Sequence, residues 1–145
     1  MTTAVRTLQV WNPAHGSVVG TLRYMGGAEA HAAADAAAAA FPTWSSRPAR
    51  ERSGLLLKAS GLVSERSADI GLLPARESGK RLPEAVRKVR FAAEYFRWFA
   101  EEARRPTGEI IPQEMRSRRH MTTTRPSGVA VCLTPWNFPV SIQAR

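Results

Sequence analysis

The sequence predicts an incomplete α/β fold, with a hairpin first, helices in the middle and one strand buried on both faces near the end. Turn residues separate two β-prone runs, apolar residues then recur at helical spacing, and a short apolar run lies between proline-containing stretches. A strand that is apolar on both faces is typical of a parallel sheet. Because the chain has a single strand of this kind, we expect most of the sheet to be missing.

The N-terminal part predicts a hairpin followed by a helix. Residues 8–11 and 17–24 are β-prone, and the turn Asn12–Gly16 between them contains Asn, Pro and Gly. Residues 28–40 are almost all alanine, which strongly favours a helix. We expect Pro42 to end that helix, since proline removes a backbone donor.

The middle of the chain predicts three further helices. An apolar stripe over residues 55–63 indicates the first, and a short helix from Ala68 towards the Glu77-Ser-Gly-Lys80 stretch is the second. Pro74 should break or kink this second helix. The longest helix is predicted over Pro83–Arg104, where apolar residues three and four positions apart form one face: Leu82, Val86, Val89, Ala93, Phe96 and Ala100.

At the end of the chain, Val129–Leu133 is the predicted buried strand and Thr134–Pro139 a stiff corner with a helix after it. Open α/β sheets bind their ligands at the carboxyl ends of strands, so we expect the functional site here. Asn137 carries a neutral amide with two donors, which suits the stabilisation of an oxyanion. The alternative is that Asn137 caps the helix or the turn.

The composition argues against several other functions. The net charge of +9 is compatible with nucleic-acid binding, but the basic residues are dispersed and no zinc-finger or RNA-recognition spacing occurs, so no nucleic-acid partner is expected. His15, His31 and His120 lie in unrelated segments, and we expect no metal site. One cysteine cannot form an internal disulfide. The start lacks a secretory signal and no apolar run suits a membrane, which together predict a cytoplasmic protein.

The corner Thr134-Pro-Trp-Asn-Phe-Pro139 resembles the NAD(P)-dependent aldehyde dehydrogenase superfamily. Four upstream stretches follow the order and spacing of that family: Asn12–Gly16, Glu77–Lys80, Tyr95–Arg104 and Gly108–Pro112. The Trp98–Arg104 segment and the ending Asn137-Phe-Pro-x-x-x-x-x-Arg145 resemble its succinate-semialdehyde branch most. The resemblance implies that residues 1–145 form an incomplete N-terminal part of a nucleotide-binding domain with a hairpin, helices and one buried parallel strand.

The resemblance also implies roles for the residues at the corner. Asn137 would be catalytic, as the oxyanion donor, and Leu133, Thr134, Pro135 and Trp136 would lie along the nicotinamide-ribose side of NAD or NADP. The substrate-binding residues would be Phe138, Ser141, Ile142 and Arg145, which share one face of the helix that follows Pro139. Arg145 would bind the distal carboxylate of succinic semialdehyde, and the alternative is a surface arginine.

The remaining expectations concern assembly and activity. Residues 116–125 would form a strand of the sheet through which the family assembles into homo-oligomers, or else a solvated basic loop. Cys132 lies inside the predicted strand and is expected in the core, because a buried thiol behaves as a small hydrophobe and a poor nucleophile. The family's catalytic Cys and Glu would lie outside this segment, so the chain alone is predicted to be inactive. The alternative function is a non-catalytic remnant or interaction module.

Overall fold

The computed structural model describes residues 6–145. Residues 1–5, on which the expected lack of a secretory signal partly depends, lie outside the described residues. The elements in chain order are β1 (Thr7–Trp11), β2 (Val18–Arg23), α1 (Gly27–Ser46), α2 (Ala49–Glu65), α3 (Ser67–Ser78), α4 (Leu82–Glu102), β3 (Ile110–Ile111), β4 (His120–Met121) and α5 (Ser141–Ala144). No helix within residues 6–145 has the length and apolar character needed to cross a membrane.

The predicted N-terminal hairpin is confirmed. Strands β1 and β2 pair antiparallel from Thr7 opposite Arg23 to Trp11 opposite Val18. The Asn12 carbonyl accepts a hydrogen bond of 2.8 Å from the Gly16 N–H, and Gly16 has a φ of 68°. Only a residue that tolerates the left-handed region closes the turn in this way.

The prediction that Pro42 ends the alanine-rich helix is wrong. Helix α1 continues through Pro42 to Ser46. The φ angle that the proline ring fixes is itself helical, so Pro42 can lie within a helix. The Ser45 hydroxyl also donates to the Pro42 carbonyl at 3.2 Å, which satisfies an acceptor near the helix end. The alanine body before Pro42 favours helix strongly enough to continue for one more turn. None of the residues of α1 is buried.

Of the two outcomes predicted at Pro74, a break or a kink, the break does not occur. The helix runs from Ser67 to Ser78 with Pro74 buried inside it. The lost backbone hydrogen bond costs about 3 kcal/mol in an isolated helix. Packing of α3 on α4 offsets this cost, and the Ser78 hydroxyl donates to the Pro74 carbonyl at 2.6 Å. Gly79 ends the helix with a φ of 67°.

Helix α4 is the centre of the structure and nearly matches its predicted range. Its buried face consists of small side chains and one valine: Ala85, Val89, Ala92, Ala93 and Ala100. The Ser60 hydroxyl of α2 donates to the Ala93 carbonyl at 2.8 Å, and the Arg90 guanidinium donates to the Ser67 hydroxyl of α3 at 3.2 Å. Helices α2, α3 and α5 all pack on α4.

Helices α3 and α4 approach each other closely at Gly71. A Cβ atom at this position would lie 2.9 Å from the backbone nitrogen of Val86 and 2.8 Å from its Cγ2 atom. Real Cβ atoms do not approach backbone so closely, and therefore only glycine fits here. The absence of a side chain at Gly71 sets the distance between the two helices.

The predicted strand at Val129–Leu133 does not form. These residues have no regular secondary structure, and Val131 and Leu133 are 79% and 92% exposed. A buried parallel strand needs neighbours on both sides, and the described residues form only two small antiparallel pairs. The expectation that Cys132 is a core residue is wrong for the same reason, since its thiol is exposed.

The basic segment 116–125 contributes one short strand. Within it only His120–Met121 pairs, antiparallel to Ile110–Ile111. The Thr122 hydroxyl accepts a hydrogen bond of 2.8 Å from the Glu109 N–H and extends this contact. All residues of the segment are exposed, and its role as an oligomerisation strand stays a prediction.

Gly71→Ala is expected to lower the free energy of unfolding of the 145-residue chain by about 1–3 kcal/mol, because the added methyl group would overlap Val86. Gly61→Ala in α2 is the matched control: no atom lies within 4 Å of its added Cβ, and higher helix propensity should stabilise by up to about 1 kcal/mol. Urea unfolding followed by circular dichroism measures both changes. Equal stabilisation by the two substitutions would contradict the close contact between α3 and α4.

Candidate functional site

A cleft of about 550 Å³ lies between α4 and the end of the chain. One wall comes from α4 and the other from the corner and α5. The residues that line the cleft are Arg87, Lys88, Phe91, Tyr95, Phe138, Ser141, Ile142 and Arg145. The cleft therefore combines aromatic surface with three basic side chains.

The α4 wall follows from helical spacing. Arg87, Phe91 and Tyr95 are four positions apart and so lie along one stripe of the helix. The Phe91 and Tyr95 rings pack edge to face, with centroids 5.1 Å apart and an interplanar angle of 70°. This stripe gives the cleft an apolar floor with a guanidinium at one end.

The Phe138 ring is the centre of a cationic cluster. The Nζ atoms of Lys88 and Lys80 lie 3.9 Å and 5.5 Å from the ring centroid. Lys80 also donates to the backbone carbonyl of Asn137 at 2.9 Å, which ties the end of α3 to the corner. Lys88 pairs with Glu84 at 3.2 Å, one turn earlier on α4.

The cluster shifts the pKa values of two of its members. Partial burial lowers the pKa of Lys80, and the positive charge of Lys88 nearby lowers it further. The hydrogen bond from Lys88 lowers the pKa of Glu84, and the other nearby cations act in the same direction. Of the two ammonium groups, Lys88 pairs with Glu84 and Lys80 does not, so the local charge is positive.

The backbone at the corner has an unusual conformation at Val140. Its φ of 70° and ψ of −50° are those of a γ-turn, and the Ser141 N–H donates to the Pro139 carbonyl at 2.9 Å. A β-branched residue with positive φ is rare and strained. The Ser141 hydroxyl is buried and donates to the Phe138 carbonyl at 3.4 Å. Helix α5 starts directly after this turn.

Asn137 lies beside the cleft and is exposed. Its side-chain amide has no hydrogen-bond partner among residues 6–145, whereas its backbone carbonyl accepts from Lys80. The N-cap of α5 is Val140, with no side-chain capping bond, so Asn137 does not cap this helix. The amide is therefore free to donate to a ligand.

The residues expected on the cofactor side form an exposed surface before the corner. Leu133 and Trp136 are 92% and 82% exposed, and Pro135 is also exposed. The Thr134 hydroxyl accepts a hydrogen bond of 2.9 Å from the Gln143 side chain of α5. These side chains carry no charge and offer no ionic contact to a ligand.

The structure brings the four residues expected at the substrate, Phe138, Ser141, Ile142 and Arg145, to one cleft, while Asn137 does not line it. The sequence reasoning missed the opposite wall, formed by Arg87, Lys88, Phe91 and Tyr95. The spacing of Arg87, Phe91 and Tyr95 was a usable signal, although nothing in the sequence showed which element faces it. No group of three or more metal-ligating side chains occurs within the described part of the chain.

The sequence model of the aldehyde dehydrogenase family matches residues 1–145. A glutarate-semialdehyde dehydrogenase of Pseudomonas putida is 41% identical over 140 residues, which are 97% of this chain and 29% of the relative. An NADP(+) succinate-semialdehyde dehydrogenase of Escherichia coli is 38% identical over 138 residues, 95% of this chain and 29% of the relative. The chain thus spans under a third of the length of these curated relatives.

Solved structures agree with the sequence comparison. A succinate-semialdehyde dehydrogenase from Burkholderia pseudomallei has a TM-score of 0.92 and 38% identity, covering 96% of this chain and 29% of that one. An aldehyde dehydrogenase from Brucella melitensis has a TM-score of 0.92 and 40% identity, with coverage of 96% and 29%. The predicted fold class, an incomplete α/β segment of this type, is confirmed. The chain belongs to the aldehyde dehydrogenase family.

Proposed function

We propose that this chain is the N-terminal part of an NAD(P)-dependent aldehyde dehydrogenase. The enzyme oxidises an acidic semialdehyde to the carboxylic acid, and succinic semialdehyde is the substrate that we favour. The observation that carries the proposal is the position of Arg145 in a cleft with Phe138 and Ile142, next to the free amide of Asn137. Relatives named as succinate- and glutarate-semialdehyde dehydrogenases support the same substrate class.

Asn137 is the proposed catalytic residue of this segment. Attack of a thiolate on an aldehyde produces an oxyanion, which a fixed amide donor stabilises without reorganising. Pro135 and Pro139 restrict the backbone on both sides of Asn137, and Lys80 holds its carbonyl. These restraints fix the backbone from which the side-chain amide extends.

Arg145 is the proposed site for the distal carboxylate of the substrate. A guanidinium group matches a carboxylate in two parallel hydrogen bonds. Phe138 and Ile142 supply the apolar surface against which the methylene groups of the substrate would lie. Ser141 acts through the backbone, because its buried hydroxyl donates to the Phe138 carbonyl.

The ribose side of NAD or NADP would be held by the residues before and at the corner: Leu133, Thr134, Pro135 and Trp136. The cofactor supplies the hydride acceptor when bound.

We also propose that residues 116–125 take part in a homo-oligomer, and that the protein is cytoplasmic. The pairing of His120–Met121 with Ile110–Ile111 and the exposed Met121 support an edge that a partner strand can extend.

The 145-residue chain alone is expected to show no oxidation of succinic semialdehyde with NAD or NADP. The proposed roles found within it are the oxyanion donor and substrate contacts, and the family resemblance assigns the nucleophile and base to other parts of the enzyme. Formation of reduced nicotinamide, followed by ultraviolet absorbance, measures this. Turnover close to that of a full-length relative would contradict the prediction that the nucleophile and the base lie outside this chain. A complete lack of activity in a longer protein that contains this chain would favour the alternative function, a non-catalytic remnant.

In a full-length aldehyde dehydrogenase that contains residues 1–145, Asn137→Ala should lower kcat by about 10²–10³-fold, because one oxyanion donor is lost. The dissociation constant of the cofactor should stay the same. Steady-state kinetics and cofactor titration measure the two effects. A loss of thermal stability that accounts for the loss of activity would instead assign Asn137 a structural role.

In the same full-length context, Arg145→Leu should weaken transition-state binding of succinic semialdehyde by about 1.5–3 kcal/mol, through loss of a charge-assisted hydrogen bond. Butanal, which has no carboxylate, should react as before. Comparison of kcat/KM for the two aldehydes measures the difference. An equal loss for both would make Arg145 structural and would remove the main support for an acidic substrate.

A further inference from the structure

One hydrogen bond ties the corner Thr134–Pro139 to a distant part of the chain. The Lys80 ammonium donates to the backbone carbonyl of Asn137 at 2.9 Å, across 57 positions of sequence. By comparison, the hydrogen bonds that join the corner to Ser141 and Gln143 are local. Lys80 therefore connects the backbone of Asn137 to the packed helices.

The backbone from which Lys80 extends is itself restrained. Gly79, which ends α3 directly before it, has a φ of 67°, and a Cβ atom there would lie 3.2 Å from the Cγ atom of Pro13 in the hairpin turn. The Lys80 ammonium also lies 5.5 Å from the centroid of the Phe138 ring, so one cation contacts two consecutive residues of the corner. A donor that is anchored in this way can hold its acceptor in place.

The prolines of the corner do not restrain Asn137 directly. Each proline ring fixes its own φ and limits the residue before it, so Pro135 and Pro139 act on positions 134, 135, 138 and 139. Trp136 and Asn137 are the two positions of the corner that neither ring restrains. The hydrogen bond from Lys80 acts at this point, because it holds the peptide plane that follows the Asn137 Cα atom.

We propose that Lys80 is a positioning residue for Asn137, whose carbonyl it holds so that the side-chain amide lies where the oxyanion forms. This rests on the proposed function, in which Asn137 is the oxyanion donor. A donor in place before the reaction stabilises the oxyanion without reorganising, and a displacement of about 1 Å can cost about 10²-fold in rate. Lys80 does not line the cleft, so its effect on the rate passes through Asn137.

The first measurement is the kcat of the full-length enzyme that contains residues 1–145. Lys80→Met should lower kcat by about 10- to 100-fold for succinic semialdehyde and butanal alike, since both aldehydes form the oxyanion. Lys80→Arg keeps a charged donor and should retain most of the activity. Lys58→Met is the matched control, which should leave kcat unchanged, because it removes the same charge from an exposed position on α2.

A double-mutant cycle separates positioning from a general structural role. An enzyme that already carries Asn137→Ala has no amide to position, so adding Lys80→Met should change its kcat by less than about 3-fold. A lysine that only stabilises the fold would cost the same factor again in that background. The cycle is repeated with Lys80→Gln, which also lacks the charge, so that it does not depend on the folding of one variant. Thermal unfolding of each variant measures its stability.

Three results would overturn the proposal: an unchanged kcat in Lys80→Met, a loss in Lys80→Arg as large as in Lys80→Met, or losses from Lys80→Met and Asn137→Ala that multiply in the double variant. In each of these cases Asn137→Ala alone still lowers kcat, so the proposed function stands. Failure of the proposed function is seen separately, because Asn137→Ala alone would then leave kcat unchanged, and the positioning role would fail with it.

Discussion

The close approach of α3 to α4 at Gly71 is the constraint on which the rest of the structure depends. Because no side chain separates Gly71 from the Val86 backbone, the two helices pack at a distance that an alanine would not allow. Val86 directly precedes Arg87 and Lys88, so this contact also fixes one wall of the cleft. The buried residues of α4 are mostly alanines, and such small side chains also permit α2 to pack closely on α4.

Electrostatics at the cleft follow from where α3 ends. Gly79 turns the chain so that Lys80 reaches the Asn137 carbonyl, and this brings a second ammonium beside Lys88. Partial burial lowers the pKa of Lys80, and the repulsion between the two ammonium groups lowers it further. An anion bound between the walls would reduce this repulsion and raise the pKa again. Charge on the substrate and protonation of the cluster are therefore coupled.

The sequence predicted those elements whose determinants are local. The hairpin depends on turn residues at Asn12–Gly16 and α4 on helical spacing within one segment, and both elements formed. The buried face of α4 differs in part from the predicted one, since Leu82 is exposed and Ala85 and Ala92 are buried. The helix end predicted at Pro42 and a break at Pro74 did not occur, because the surrounding helix and the packing of α3 on α4 keep these residues helical against their local propensity. The strand at Val129–Leu133 depends on neighbours that residues 6–145 do not provide.

At the site, too, locally determined features were predicted and those that depend on tertiary packing were not. The sequence predicted that Phe138, Ile142 and Arg145 share one helix face, but α5 begins only at Ser141, so Phe138 reaches the cleft from the corner before the helix. The opposite wall was not predicted. Arg87 and Lys88 appear in the sequence as ordinary charged residues of a solvated helix face. Only the tertiary packing of α5 on α4 places them across from Arg145.

The positive φ of Val140 has a consequence for conformational entropy. Glycine would adopt this turn without steric cost, but it would also sample many more conformations in the unfolded chain and lose more freedom on folding. Valine carries steric strain in the folded state and loses less entropy when the turn forms. The direction in which α5 leaves the corner is therefore set by the backbone of one residue. The exposed Arg145 ends α5, so the turn at Val140 also sets where its backbone lies.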